Sequence, residues 1–201
     1  MTAKPARQGW PAAGYGIKMS LPPKNHYHSR TLQMVFIMSN ITPPNMKNPI
    51  HLLAFGLGSG LARKAPGTFG TLAALPFWWF LLQGVPTLPY IGVLVAGFAL
   101  GVVLCEITSR DMGVHDHGGI VWDEWIGMWI TLLWLPLGGD LWADLAWVVY
   151  AFVAFRFFDI LKPWPIKWLD AKVHGGFGIM IDDVLAGIFA LAVVQATAAL
   201  I

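Results

Sequence analysis

Beyond Pro49 the chain alternates long apolar runs with short charged loops, and no other feature limits its fold so strongly. The runs cover 71–83, 88–105, 125–137, 141–158 and 184–201. A membrane-spanning helix needs about 20 apolar residues, with about 17 as a minimum, at a rise of about 1.5 Å each. The second, fourth and fifth runs reach that length; the first and third are shorter. Composition agrees, with 56% hydrophobic and 12% charged residues, 11 Trp and 12 Phe in 201 residues. An average soluble domain is about 25% charged. A chain this apolar exposes too much hydrocarbon for water, so lipid is its expected solvent. The expected fold is all-α, a polytopic membrane helix bundle of about five apolar spans. The stretch "IHLLAFGLGSG" (50–60) is too short to cross and ends in glycines, which predicts a short interfacial or re-entrant helix.

The loops predict an orientation. Arg63 and Lys64 precede the first run, Arg110 lies between the second and third, and Arg156, Lys162, Lys167 and Lys172 cluster at or after the end of the fourth. The connections "GVPTLP" (84–89) and "GGDLWAD" (138–144) carry no Lys or Arg. The positive-inside rule then puts the N-terminus and the loops 106–123 and 159–183 in the cytoplasm, and the C-terminus outside.

Residues 1–48 are polar, Pro-rich and unpatterned, and read as a mostly disordered extension ahead of a membrane-embedded domain, 49–201. The apolar piece "TLQMVFIM" (31–38) lacks a following small-residue cleavage site, which argues against a signal peptide. A net charge of +2 and the lack of a basic tract argue against nucleic acid as a partner. No obligate protein partner is evident; the expected partners are the membrane and a lipid in it. The single Cys105 reads as a small buried hydrophobe.

The acids are placed unevenly. Only Asp140 and Asp144 fall on the outer side; the other nine fall on the cytoplasmic side, several at the ends of runs. Asp123 and Glu124 are expected to open the third span, Asp159 to close the fourth, and Asp182 and Asp183 to open the fifth. A charge at a helix centre in the bilayer costs roughly 2.5–3.5 kcal/mol. Helix dipoles would offset part of this cost for acids at helix N-termini, and would oppose Asp159 at a C-terminus. Five carboxylates at one depth repel one another unless a cation joins them. A hard divalent ion such as Mg²⁺ takes carboxylate oxygens and keeps places for phosphate, so the cluster reads as a Mg²⁺ site. Helix caps and snorkelling surface acids are the plain alternative. Two features count against it. Capping needs one oxygen, yet the acids come as adjacent pairs. The segments "IVWDEWIG" (120–127) and "IMIDDVLAG" (179–187) also share the order apolar, acid pair, apolar, small residue. Small residues let helices approach closely and would bring the pairs together.

In "RFFDILKPWP" (156–165), Arg156, Asp159 and Lys162 recur every third residue and share a face if the helix continues, with the two cations suited to a phosphate. In "APGTFGTL" (65–72), glycine N–H groups with the hydroxyls of Thr68 and Thr71 ahead of a helix form a candidate oxyanion cradle, although a Walker-type ending is missing. His115, Asp116 and His117 in "GVHDHGG" (113–119), and His174, are candidate metal ligands or proton shuttles, or plain surface residues.

At these residues the chain resembles a known family. "GLGSGLARKAPGTFGTL", "DMGVHDHGGIVWDEWIGMW", "FRFFDILKPWPI" and "VHGGFGIMIDDVLAG" resemble, in order, the four blocks of phosphatidylglycerophosphatase A. The resemblance covers the chain from about Pro49 to the last run. It implies a Mg²⁺-dependent phosphatase of the bacterial inner membrane that removes the terminal phosphate of phosphatidylglycerophosphate to give phosphatidylglycerol. By similarity, Asp123, Glu124, Asp159, Asp182, Asp183 and Lys162 are its functional positions. Lys64 departs from the family block and receives no role.

The two lines of reasoning meet at a multi-pass phosphomonoesterase with its site on the cytoplasmic side. Asp123, Glu124, Asp159, Asp182 and Asp183 are the expected catalytic and metal-binding residues. Arg156, Lys162, Thr68, Thr71 and His115 are the expected phosphate contacts. The expected attack is by metal-activated water, because the Asp-x-Asp of aspartyl-phosphate phosphatases is absent. A phosphotransferase would carry Asp-x-x-Asp-Gly, which is also absent. A small transporter or ion-coupled carrier is the non-enzyme alternative, and it predicts acids near mid-span.

Overall fold

A computed structural model describes residues 42–114 and 117–201. Every regular element among them is helical. Helix α1 (Pro49–Ala54) starts where Asn48 accepts the Ile50 N–H at 3.0 Å and proline takes the first helical position. A 3₁₀ segment, Gly56–Leu61, follows. Together they form the short non-spanning element expected at 50–60.

Helix α2 (Pro66–Phe77) opens five residues ahead of the first apolar run and continues as a π-turn over Trp78–Leu82. Pro76 lies inside it, two residues before the π-turn. Helix α3 (Thr87–Met112) has 26 residues and ends on Gly113 in the left-handed region (φ 71°). Helix α4 (Trp122–Thr131) is only 10 residues long and stops six residues before its apolar run does. Helix α5 (Leu141–Leu161) starts at Asp140, which accepts the Ala143 N–H at 2.9 Å. Helix α6 (Ile166–Asp170) is one short turn, and α7 (Gly175–Ala198) has 24 residues.

Two helices, α3 and α7, are long and apolar enough to cross a membrane. Large apolar side chains also stand exposed on the outside of the bundle, among them Phe80, Leu88, Val95, Val103, Val149 and Ile160. This pattern suits a hydrocarbon surround.

Helix α7 is the axis of the molecule. It packs against α3, α4, α5 and α6. It approaches α4 closely where Gly187 faces Gly127, so that a methyl group on Gly187 would meet the Gly127 backbone. A methyl group on Gly127 would lie 2.6 Å from the Asp183 carbonyl oxygen. Thr131 Oγ1 locks the pair by donating to the carbonyls of Gly127 (3.0 Å) and Gly187 (3.3 Å). The small residue that follows each acid pair therefore does what the repeat suggested. It lets two backbones touch, and the acids one turn earlier meet.

Candidate active site

Asp123 and Glu124 lie in the first turn of α4, where the helix dipole favours a carboxylate. Asp182 and Asp183 do not open a helix, contrary to the sequence-based expectation. They lie about two turns inside α7, which starts at Gly175, so no helix N-terminus offsets their charge. The reason is tertiary. Gly175 adopts a positive φ of 76°, and Glu106 of α3 accepts the Gly176 N–H at 2.7 Å. That bond lets "GGFG" become the first turn of the helix.

Arg156 organises one half of the cluster. Its Nη1 lies 2.6 Å from Asp159 Oδ2 and 3.3 Å from Glu124 Oε1. Thr71 Oγ1 donates to Glu124 Oε2 at 3.2 Å and accepts from Arg156 Nη1 at 3.3 Å. The pairing with Arg156 explains how Asp159 tolerates a helix C-terminus. Side-chain exposures of 15%, 12% and 14% for Arg156, Glu124 and Asp159 make this a largely dry network. Thr71 is buried, so it reaches the substrate side only through Glu124 and Arg156. The glycines of "PGTFG" add space to the expected cradle. A methyl group on Gly70 would lie 2.7 Å from Glu124 Oε2, and one on Gly67 would collide with Glu124 Oε1. Thr68 is half-buried in the first turn of α2.

Lys162 organises the other half. It does not share the helical face of Arg156 and Asp159, as the three-residue spacing implied. Helix α5 ends at Leu161, and Lys162 turns into the left-handed region (φ 43°) ahead of Pro163. Its Nζ lies 2.5 Å from Asp182 Oδ2 and 3.2 Å from Asp170 Oδ1. Burial would lower the Lys162 pKa, but the bond and charge of Asp182, joined by Asp170, raise it above the ordinary lysine value. Lys162 is thus a fixed cation.

Asp183 sits between the halves. It is 3% exposed, and its Oδ2 is buried with no hydrogen-bond partner among the described residues. The charges of Asp159, Asp123, Asp182 and Glu124 all act on it. A buried carboxylate oxygen left without a donor fits a cation, and oxygen donors of this kind suit Mg²⁺. No three His, Cys, Asp or Glu side chains among the described residues form a ready-made ligand set. Arg156 and Lys162 hold Glu124, Asp159 and Asp182 instead.

Two partners were not singled out in the sequence. Asp170 pairs with Lys162 across a turn that holds a cis Trp164–Pro165 bond, and Glu106 caps α7 from a position 70 residues earlier. Neither carries a local signal beyond lying on the acid-rich side. Of the histidines, His117 Nδ1 accepts the Gly119 N–H at 3.1 Å within its own loop, and His174 is exposed just ahead of α7. His115 and Asp116 lie outside the described residues, as do residues 1–41 of the expected extension.

Residues 52–198 match the family model described as phosphatidylglycerophosphatase A. The chain belongs to that family. It is 57% identical over 143 residues to the phosphatidylglycerophosphatase A of Escherichia coli, covering 71% of this chain and 80% of the relative. The phosphatidylglycerophosphatase A of Haemophilus influenzae is 50% identical over 152 residues, 76% of this chain and 90% of the relative. A Bacteroides thetaiotaomicron protein named "Putative phosphatidylinositol-3-phosphatase" is 37% identical over 150 residues, 72% of this chain and 92% of its own. No solved structure matches the chain. Membership of the phosphatidylglycerophosphatase A family makes the chain a phosphatase and sets the carrier reading aside.

Proposed function

We propose that this chain hydrolyses the terminal phosphate of phosphatidylglycerophosphate, giving phosphatidylglycerol and phosphate, in a Mg²⁺-dependent reaction at the cytoplasmic face of a bacterial inner membrane. The observation that carries the chemistry is Arg156 bridging Glu124 and Asp159, two acids whose charges act on Asp183, itself with a buried oxygen that has no hydrogen-bond partner among the described residues. Cations and buried carboxylates interleave there as a bound metal and a phosphate together require. The names of two relatives support the substrate. The third relative is named for another lipid phosphomonoester, which supports the reaction class and leaves the head group as the variable.

Asp123, Asp159 and Asp183, with Glu124 and Asp182, would hold Mg²⁺. Bound there, the ion would supply polarisation of a phosphate oxygen and a lowered pKa for water. Arg156 and Lys162 neutralise charge on the phosphate oxygens as the bond to the lipid breaks. Thr71 keeps Glu124 and Arg156 in register. The head group alone needs to reach the cluster, because the acyl chains stay in the bilayer. A bundle of five membrane segments with a cytoplasmic N-terminus, the orientation the Lys/Arg asymmetry of the loops favours, would put these residues on the cytoplasmic side.

The test is phosphate release from phosphatidylglycerophosphate by the full chain in detergent. Release with Mg²⁺ and loss with EDTA are expected, together with a loss of about 100-fold or more in Asp123→Asn and Asp182→Asn. No release from the parent chain sinks the function. Metal-independent release sinks the cofactor, and full activity in both variants sinks the site.

A further inference from the structure

The outer face of α5 carries a groove of about 450 Å³ lined by Phe152, Val153, Arg156, Phe157, Ile160 and Leu161. These positions recur every four residues and form one stripe along the helix. Val153, Phe157, Ile160 and Leu161 are 57–72% exposed, so no element among the described residues covers the stripe. From Leu161 to Phe152 it runs about 14 Å, and from Arg156 to Phe152 about 6 Å.

One residue of the stripe is charged, and it is Arg156, the cation that joins Glu124 and Asp159 in the site. Its Nη1 is committed to those acids. Its Nε is buried and has no hydrogen-bond partner among the described residues. The groove is therefore apolar apart from Arg156, midway along it, whose guanidinium reaches into the acid cluster. That is the charge pattern of a phospholipid, an acyl chain ending in a phosphate.

A second groove, of about 520 Å³, lies between α3, α4 and α7, with Phe98, Ile126, Phe177 and Val184 among its walls. It is larger but has no charged side chain in its lining. Nothing there would register an anionic head group.

We propose that the exposed face of α5 is the docking surface for an acyl chain of the lipid substrate, which reaches the acid cluster sideways from the bilayer with its phosphate at Arg156. This rests on the reaction proposed above and adds where the tail lies and from which side the lipid arrives.

The test compares kcat/KM on dioleoyl and dihexanoyl phosphatidylglycerophosphate for the full chain in mixed micelles. Val153→Trp fills the groove without touching the acid cluster. It is expected to lower kcat/KM about tenfold on the dioleoyl lipid and to leave the dihexanoyl lipid unchanged. Val153→Ala, which cannot overpack, should give a smaller loss in the same direction. Val95→Trp, in the α3–α4–α7 groove, should change neither. Equal losses on both lipids in both Val153 variants, no loss in either, or a selective loss in Val95→Trp overturns the α5 surface. Absence of phosphate release from either lipid by the parent chain overturns the reaction itself.

Discussion

Asp144 and Asp183 are both aspartates buried in apolar helices, one near the start of α5 and one inside α7, with 6% and 3% exposure. Asp144 is fully engaged. Its Oδ1 accepts the Gly138 N–H at 2.8 Å and its Oδ2 accepts the Gly139 N–H at 3.1 Å, closing the loop before α5. Asp183 has a buried oxygen that no donor among the described residues satisfies, and four other carboxylates act on it. Burial and residue type are the same. What differs is whether the hydrogen-bonding capacity is spent. A spent carboxylate holds the fold, and an unspent one surrounded by like charge lowers stability unless a ligand arrives.

Three substitutions sharpen this contrast. The largest effect is expected for Asp183→Asn, which keeps the shape and removes the charge. Phosphate release should fall about 10³-fold, while the melting temperature without added metal stays level or rises. A variant that keeps activity would put Asp183 in the same class as Asp144.

An intermediate effect is expected for Gly187→Ala. The added methyl group meets the Gly127 backbone and pushes α7 from α4. Thermal unfolding in detergent should show a loss of about 1–3 kcal/mol, with activity falling as the acid pairs separate. An unchanged melting temperature would mean that the helices are not in contact there.

The smallest catalytic effect is expected for Asp144→Ala. It strands two backbone N–H groups and should cost about 1–3 kcal/mol of stability, while kcat/KM of the folded fraction stays within about twofold of the parent. A large selective loss of activity would break the distinction between the two aspartates.

The sequence showed the acids but not their depth. In "GGFGIMIDDVLAG" the glycines read as loop, because glycine is a poor helix former and no cap stands within local reach. The cap is Glu106, held on α3, and it moves the helix start from the Asp182–Asp183 pair back to Gly175. Lys162 misled in the opposite way. Its spacing from Arg156 promised a shared face, but Pro163 ends the helix, and Lys162 turns away to Asp182 and Asp170. The close approach marked by Gly127 and Gly187 was legible, because a small residue after each acid pair is a local pattern with one geometric use.

Hydropathy, the sign of the loop charges and the doubled acids are properties of residues and their near neighbours. The sequence alone was therefore enough for an all-helical fold with apolar helices long enough to cross a membrane, and for the four motif blocks of the family. Which carboxylate is satisfied, which is left open and which cation stands between them depend on groups up to 85 residues apart, as between Thr71 and Arg156. Only the packing of α2, α4, α5 and α7 decides those pairings, because a hydrogen bond forms where two backbones bring donor and acceptor within about 3 Å, and no local pattern in the chain records that distance.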